Sequence, residues 1–307
     1  MPVRLGTRGS ALALAQAQQV ADALGGAELV AIRTAGDERP AGEAAPPDPC
    51  GAGGDKARFV REIERALLGG EVELAVHSAK DLPTELPDGL EIAGVPARED
   101  ARDAYVGPAG SLEEIPEGSR IGTSSLRRRA QLLAARPDLE VAGVRGNVDT
   151  RLAMLEADEY DGLVLAVAGL RRLGRAEAIA FAFEPAELTP AAGQGALALE
   201  CRLDDPVEAR AQTITDPGAL ATVSCERSAV ASLQASCETP VGVHATLVAG
   251  GRMRVAGFCG LPDGSEWIRD QLEDDASEPE RLGAELAERM RGAGAEEMLH
   301  RAGEMTA

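Results

Sequence analysis

One thiol stands out among the side chains that could do chemistry. Cys237 lies in "LQASCETPVG", between small residues and just before a proline and a glycine. No second cysteine follows at metal-binding spacing and no histidine is near in sequence, so a zinc site is not favoured. The local sequence leaves three roles open for this thiol: a buried spectator, a nucleophile or an attachment point.

Cationic side chains form a second group with chemical potential. Lys56 and Lys80 are the only lysines in the chain, and all other basic residues are arginines. Arginine in a first helical turn opposes the helix dipole by about 0.3–1 kcal/mol, yet "SSLRRRAQ" places three there. A solvated charged face is one explanation. Guanidinium groups also bind carboxylates or phosphates in bidentate geometry, and no nucleotide-binding glycine motif accompanies them. We therefore expect Lys80, Arg128, Arg145 and Arg151 to form a basic cleft for carboxylates.

The elements that must hold these residues alternate between strand and helix. "VRLG", "ELVAIRT" and "VELAVHS" have strand patterns, and Ser10 can cap the helix "ALALAQAQQVADAL". A second series runs from "SRIGTSS" to "GLRRLG", and three strands and C-terminal helices follow residue 217. The pattern predicts an α/β domain over 1–95 and 196–213, an α/β domain over 101–189, and a smaller α+β domain over 218–307. The Gly/Pro/Ala-rich segment 35–54 is predicted to be a functional or mobile loop.

Composition restricts the partners. With 51 acidic against 31 basic residues the net charge is −20, which excludes nucleic acid as an expected partner. No apolar run is long enough to cross a membrane, and the N-terminus lacks a signal-peptide pattern, so we expect a cytoplasmic protein. Its five cysteines are odd in number and widely spaced, which fits a reducing compartment. The charge and the 2% aromatic content favour a salt-adapted surface, with an acidic mesophilic protein as the alternative.

Seven motifs, taken together, resemble one enzyme family. "GTRGSALALAQ", "AVHSAKDLP", "RIGTSSLRRRAQL", "VRGNVDTRL", "LAVAGLRRLG", "PAAGQGALALECR" and "SCETPVG" occur in the order found in porphobilinogen deaminases (hydroxymethylbilane synthases). The resemblance covers nearly the whole chain. It implies two periplasmic-binding-protein-like α/β domains with a smaller C-terminal α+β domain. It also implies a monomeric transferase of haem biosynthesis that joins four porphobilinogen molecules head to tail and releases ammonia at each addition.

The resemblance also implies roles for individual residues. Cys237 would hold a dipyrromethane cofactor through a thioether, Asp81 would be catalytic, and no metal is implied. A carboxylate at Asp81 can stabilise a cationic pyrrole intermediate and assist proton transfer, although Asp before Pro83 can equally be a turn residue. The other positions match residues that contact the acetate and propionate groups of the cofactor (Lys80, Ser125, Arg127, Arg128, Arg145, Gly146) or the substrate (Arg8, Ser10, Lys56, Phe59, Arg151, Arg172).

Departures and alternatives accompany this assignment. Ala235 and Ser236 stand where the family usually has two glycines before the cofactor cysteine, and the segment before Lys56 lacks the additional lysine usual in the family. Two α/β domains around an anion-binding cleft also describe a solute-binding protein, which would use the same arginines without chemistry. A non-catalytic structural relative is a third alternative. Cys237 and Asp81 argue against both.

Overall fold

The computed structural model describes residues 2–32, 55–236 and 238–306, with side chains omitted for 55–59. The predicted loop over 35–54 and Cys237 itself therefore lie outside the described residues. Within them, no helix combines the length and the apolar character needed to cross a bilayer.

Strands and helices alternate along most of the described chain. The strands are β1 Val3–Arg8, β2 Ala27–Ile32, β3 Leu74–Ser78, β4 Leu90–Gly94, β5 Asp103–Val106, β6 Arg120–Gly122, β7 Glu140–Ala142, β8 Gly162–Ala166, β9 Phe181–Ala182, β10 Leu197–Arg202, β11 Val241–Val248, β12 Arg252–Gly260 and β13 Trp267–Asp275. The helices are α1 Ala11–Ala23, α2 Asp55–Leu68, α3 Leu126–Ala135, α4 Val148–Glu156, α5 Val167–Arg172, α6 Glu208–Gln212, α7 Pro217–Ser232, α8 Pro279–Gly292 and α9 Ala295–Thr306. Short 3-10 helices cover Ala79–Asp81 and Ala176–Ala178.

The first compact unit comprises Met1–Glu99 and Ala196–Leu220. Its five-stranded sheet has the order β2-β1-β3-β10-β4, in which β2, β1 and β3 are parallel and β10 is antiparallel to both of its neighbours. Leu5, Leu74 and Leu199 are completely buried because these strands have apolar side chains toward packed helices. The carboxyl ends of β1 and β3 therefore meet at one edge of the sheet, where Arg8 ends β1 and the Ala79–Asp81 turn follows β3.

The second unit, Asp100–Gly195 with Ala221–Ala307, holds an equivalent sheet. Its order is β7-β6-β8-β5-β9, again with three parallel strands followed by an antiparallel one. Ile121, Val164 and Leu163 fill both faces of the sheet and are fully buried. The connections after β6 and β7 lie at the carboxyl edge, so this sheet places the segments 123–125 and 143–147 next to each other.

The C-terminal part of the second unit is an α+β layer. The antiparallel sheet β11-β12-β13 packs on α8 and α9 around a core that includes Val243, Val255 and Leu286. Gly283 lets α8 approach α7 closely, because a Cβ at this position would overlap the carbonyl oxygen of Cys225. In the sequence, Cys237 lies between the end of α7 at Ser232 and the start of β11 at Val241.

The predicted fold class is confirmed in its architecture: two five-stranded α/β sheets and a smaller C-terminal α+β part with a three-stranded sheet. Ser10 caps α1 as predicted, since its hydroxyl accepts from the Ala13 amide at 3.3 Å. Within the second predicted series, the apolar segment "LEVAGV" forms a strand only over Glu140–Ala142. Strands β4, β5 and β9 were not predicted. The limits of the three predicted domains stay a prediction.

Candidate functional site

Polar residues at the strand-to-helix junctions begin helices in both units. Ser125 accepts from the Arg128 amide at 3.4 Å and so caps α3, and Asn147 accepts from the Thr150 amide at 2.9 Å and caps α4. The Ser124 hydroxyl links the two junctions, because it donates to the Val144 carbonyl and accepts from the Val144 amide. These bonds fix the backbone from which the neighbouring arginines extend.

Arg127 and Arg128 both turn toward one buried carboxylate, Asp103. Nη1 of Arg127 lies 2.7 Å from Oδ2, and Nε and Nη2 of Arg128 lie 2.9 and 2.7 Å from Oδ1. Asp103 is completely buried and the arginines are 3% and 6% exposed. Gln194 adds an amide N–H at 2.9 Å to the same Oδ1. Asp103 was not predicted from the sequence, although an aspartate at the start of an apolar strand is unusual and indicates a buried partner.

This group of residues has one positive charge more than negative. Burial raises the pKa of Asp103, but the two guanidinium groups outweigh burial and hold that pKa well below its usual range. Asp103 is therefore a carboxylate at any ordinary pH. Because one carboxylate neutralises one of two guanidinium groups, a net positive charge remains at the amino end of α3.

Arg151 adds a second cation nearby. Its Nε donates to the Gly146 carbonyl at 2.9 Å, and no carboxylate among the described residues pairs with it. Burial, and then the positive charge of Arg128, lower the pKa of Arg151 to about 10. The positive charges of Arg128 and Arg151 are thus held close together in a partly buried environment. This arrangement costs free energy unless an anion binds to both.

The other predicted residues of the second unit, Gly146, Arg145 and Arg172, differ in their contacts. Gly146 has a φ of +101°, and a Cβ there would press on Thr150, so only glycine can present its carbonyl to Arg151. Arg145 is exposed and makes no hydrogen bond or ion pair within the described residues. Arg172 instead donates to the Gly195 carbonyl at 2.8 Å. The structure therefore brings Arg128 and Arg151 together and ties Arg172 to the segment that also carries Gln194.

The first unit presents its predicted residues at the carboxyl edge of its own sheet. Arg8 ends β1, and Lys80 and Asp81 occupy the 3-10 turn directly after β3, where both are half-buried. The Gln16 amide donates to the Ser78 hydroxyl at 2.8 Å, which ties α1 to the start of this turn. Lys56 and Phe59 lie in the first turns of α2, and their side chains are outside the described residues. Since Lys80 and the arginines belong to different units, the predicted cleft that combines them stays a prediction.

Short-range hydrogen bonds connect the described residues on either side of Cys237. The Ser236 amide donates to the Thr239 hydroxyl at 3.1 Å, that hydroxyl donates to the Ser236 carbonyl at 2.7 Å, and the Glu238 amide donates to the Ser236 hydroxyl at 3.2 Å. Ala235, which replaces a usual glycine, is buried. Both substitutions in the Gly-Gly pair are thus accommodated, and Ser236 contributes to these hydrogen bonds.

The cysteines that the structure describes are unsuited to nucleophilic chemistry. Cys201, Cys225 and Cys259 are fully buried, and burial raises the pKa of each to about 12. A thiol with such a pKa is almost entirely protonated at neutral pH and is a poor nucleophile. Cys50 and Cys237 remain, both outside the described residues. No group of three or more metal-ligating side chains occurs in the described part of the chain.

We predict that Asp103→Asn destabilises the protein strongly, because it leaves two buried guanidinium groups without a counter-ion. Removing one partner of a buried ion pair costs about 3–5 kcal/mol. The pKa of Asp103 is depressed in the folded state, so its stabilisation is present above the unfolded pKa and is lost only as the solution becomes acidic. Urea unfolding at neutral pH measures the loss.

The control is Asp138→Asn, which removes a carboxylate 2.6 Å from Arg136 in a partly exposed pair. It should reduce the free energy of unfolding far less than Asp103→Asn. Equal effects of the two substitutions would show that burial of the Asp103 charges is unimportant.

Comparisons with known proteins agree with this arrangement. Residues 3–209 match the family model "Porphobilinogen deaminase, dipyromethane cofactor binding domain", and residues 220–292 match "Porphobilinogen deaminase, C-terminal domain". The curated porphobilinogen deaminase of Thermus thermophilus is 46% identical to this chain over 97% of this chain and 98% of its own length. That of Pelobacter propionicus is 42% identical over 97% of this chain and 96% of its own length. That of Deinococcus deserti is 46% identical over 98% of this chain and 99% of its own length. A periplasmic binding protein of Salmonella typhimurium with high arginine specificity matches 71% of this chain and 95% of its own, but its TM-score of 0.39 and 10% identity carry no argument. Two matched domains and relatives of this identity over almost the full length lead to one conclusion: the chain belongs to the porphobilinogen deaminase family.

Proposed function

We propose that this chain performs the hydroxymethylbilane synthase reaction with the residues described above. The enzyme is a transferase of tetrapyrrole biosynthesis that condenses porphobilinogen, releases ammonia and carries a dipyrromethane cofactor. The observation that carries the residue assignment is Arg151, a half-buried guanidinium without a carboxylate partner in the described chain and close enough to Arg128 for their charges to repel. An acid-bearing pyrrole would relieve this repulsion.

The cationic residues fit the cofactor by the chemistry of their donors. A dipyrromethane supplies two carboxylates on each ring and an open position at which the chain grows. In the second unit, Arg128, Arg145 and Arg151 would hold those carboxylates, with the Gly146 carbonyl orienting Arg151. Arg127 would act mainly through Asp103, which it helps to keep ionised. The remaining proposed contacts are Ser125 and Lys80 for the cofactor and Arg8, Ser10, Lys56, Phe59 and Arg172 for the substrate.

Asp81 is our proposed catalytic residue. It lies on the turn after β3 beside Lys80, half-buried at the carboxyl edge of the first sheet. A carboxylate fixed there can stabilise positive charge that develops on a substrate pyrrole when ammonia leaves, and it can accept or return a pyrrole N–H proton. The backbone of the turn is fixed by the Ala79 amide, which donates to the Ala196 carbonyl at 3.0 Å.

Cys237 is our proposed attachment point. The described cysteines are buried with strongly raised pKa values, whereas the residues that flank Cys237 in the sequence, Ser236 and Glu238, are joined by a hydrogen bond from the Glu238 amide to the Ser236 hydroxyl. Both flanking residues are exposed. Its thiolate would form the thioether through which the cofactor is held.

Further properties belong to the same proposal. We propose three domains over 1–95 with 196–213, 101–189 and 218–307, and a monomer in the cytoplasm that binds neither nucleic acid nor membranes. The support is the −20 charge, which repels phosphate-bearing partners. We also propose that the surface is adapted to high salt, because arginine replaces lysine almost everywhere and acids outnumber bases 51 to 31.

The first test of the function is the mass of the purified protein. It should exceed the sequence mass by two pyrrole units, and Cys237→Ala should have the sequence mass and no ammonia-releasing activity. Peptide mapping should place the adduct on Cys237. Cys201→Ala is the control, because it removes a buried thiol and should keep the adduct; an active protein with unmodified Cys237 would refute the attachment.

The second test separates catalysis from a turn role at Asp81. Asp81→Asn should lower the rate of ammonia release by about 10²–10³, equivalent to roughly 3–4 kcal/mol, while cofactor content stays normal. Asp81→Glu keeps the charge and should retain more activity than Asn. Asparagine caps and turns about as well as aspartate, so near-normal activity of Asp81→Asn would mean that Asp81 is a turn residue only.

A third prediction concerns salt. At about 1 M salt the Debye length falls to roughly 3 Å, so repulsion among the excess acids is screened. Thermal stability and activity should therefore rise from low to molar KCl. The midpoint temperatures of thermal unfolding across a KCl series measure the change in stability. Midpoints that stay level or fall would show that the protein is acidic but not adapted to salt.

A further inference from the structure

A completely buried carboxyl group lies in the second unit, outside the residues assigned so far. Glu226 of α7 uses both of its oxygens to accept backbone amides. Oε2 accepts from the Gly193 amide at 2.7 Å, and Oε1 accepts from the Ala245 amide at 2.8 Å. Nδ1 of His244 lies 3.3 Å from the same Oε1. One side chain therefore joins α7, β11 and the segment that precedes β10.

The two accepted amides give a physical reason for a glutamate in this apolar environment. A leucine of similar size would fill the space without the cost of burying a carboxyl group. It would, however, take the acceptor away from the Gly193 and Ala245 amides, and a buried N–H without an acceptor is costly. Glu226 thus fixes the positions of two backbone groups in addition to filling volume.

Gly193 belongs to residues 191–195, which we call the GQG turn. The φ angles of Gly193 and Gly195 are +72° and +86°, in the left-handed region that glycine adopts without strain. Glycine also has the greatest backbone freedom, so a turn with two glycines keeps one conformation only if other groups hold it. The Gln194 amide donates to the Ala191 carbonyl at 3.0 Å within the turn. Glu226 holds the turn from α7.

Two contacts with proposed binding residues originate from the GQG turn. Nε2 of Gln194 donates to Oδ1 of Asp103 at 2.9 Å, and this oxygen also accepts from Nε and Nη2 of Arg128. One residue further, the Gly195 carbonyl accepts from Nη2 of Arg172 at 2.8 Å. Because Gln194 is itself buried, the position of its amide depends on the backbone of the turn. A displaced turn would therefore affect two of the arginines proposed to bind carboxylates.

We propose that Glu226 is a positioning residue for the cationic side chains of the second unit. Its hydrogen bond to the GQG turn keeps the conformation that presents Gln194 to Asp103 and the next carbonyl to Arg172. The effect on substrate binding rests on the proposed function, whereas the coupling of Glu226 to Gln194 is measured by unfolding alone. A role confined to packing would give these two residues independent effects.

The test uses Glu226→Leu, which keeps the approximate size of the side chain and cannot accept a hydrogen bond. The KM of the holoenzyme for porphobilinogen should be roughly threefold or more higher than in wild type, because the arginines lose part of their positioning. Its kcat should change by less than about twofold, since the proposed catalytic Asp81 belongs to the other unit.

A double-mutant cycle with Gln194→Leu measures the coupling. If Glu226 acts through Gln194, the two substitutions break one link, so the double variant should lose less stability than the sum of the single losses. The difference should be roughly 3 °C or more in the unfolding temperature. In the Gln194→Leu background, Glu226→Leu should raise KM by less than about twofold further.

The matched control is Asp216→Ala. Oδ1 of this exposed aspartate accepts from the Ala219 amide at 2.7 Å at the start of α7, the helix that carries Glu226. The substitution should lower the unfolding temperature, because it removes a helix cap. It should leave KM unchanged and should add to Gln194→Leu without coupling.

The outcomes separate this proposal from the proposed function. Additive losses of stability for Glu226→Leu and Gln194→Leu would overturn the link, whatever the activity. Coupled losses with an unchanged KM would overturn the positioning role and leave the assignments of Asp81 and Cys237 intact. Wild-type protein that releases no ammonia would refute the proposed function, while the unfolding cycle still reports on the link.

Hydrogen exchange decides the matter if Glu226→Leu does not fold. Coupling between two residues is reciprocal, so loss of the Gln194 contacts should loosen the hold of Glu226 on the turn. The protection factor of the Gly193 amide should then be roughly tenfold lower in Gln194→Leu than in wild type. An unchanged protection factor would overturn the link.

Discussion

The second unit is organised around the ion group that Asp103 forms with Arg127 and Arg128. One carboxylate at the start of β5 receives donors from α3 and from Gln194, so three separate segments depend on a single buried charge. Burying charges is costly, and the cost is offset only when geometry and hydrogen bonding are good. The interaction fixes α3 against the sheet and at the same time leaves a positive charge at the amino end of that helix. Stability and, under the proposed function, ligand binding therefore rest on the same three side chains.

A protein of charge −20 must concentrate its positive charge to bind a substrate rich in carboxylates. Three features of the second unit concentrate positive charge. Asp103 neutralises only one of two arginines, the Gly146 carbonyl orients Arg151 without neutralising it, and Arg145 has no acidic partner in the described chain. The surrounding acids repel other anions at long range, whereas a partly buried guanidinium binds strongly at short range. Under the proposed function, this combination favours a compact polycarboxylate.

The sequence predicted those parts of the fold that local patterns determine. Ser10 caps α1 as predicted, because capping depends on residues three positions apart. Strand β5 was missed because aspartate is rare in strands, and the partners of Asp103 are distant in sequence. The same distance hides the contact of His77 with Glu200, which come from β3 and β10. The local sequence of Cys237 left its role open, and only the order of seven motifs selected one.

The central claim is that unneutralised guanidinium charge in the second unit binds the carboxylates of substrate and cofactor. The most direct measurement is the KM for porphobilinogen in Arg151→Gln beside Arg129→Gln, since Arg129 is an exposed arginine on α3 that donates to the Pro262 carbonyl. Loss of a charged hydrogen bond of about 1.5–3 kcal/mol predicts a KM about tenfold or more higher, or a failure to retain cofactor, in Arg151→Gln only. Equal KM values and equal cofactor content in the two variants would contradict the claim.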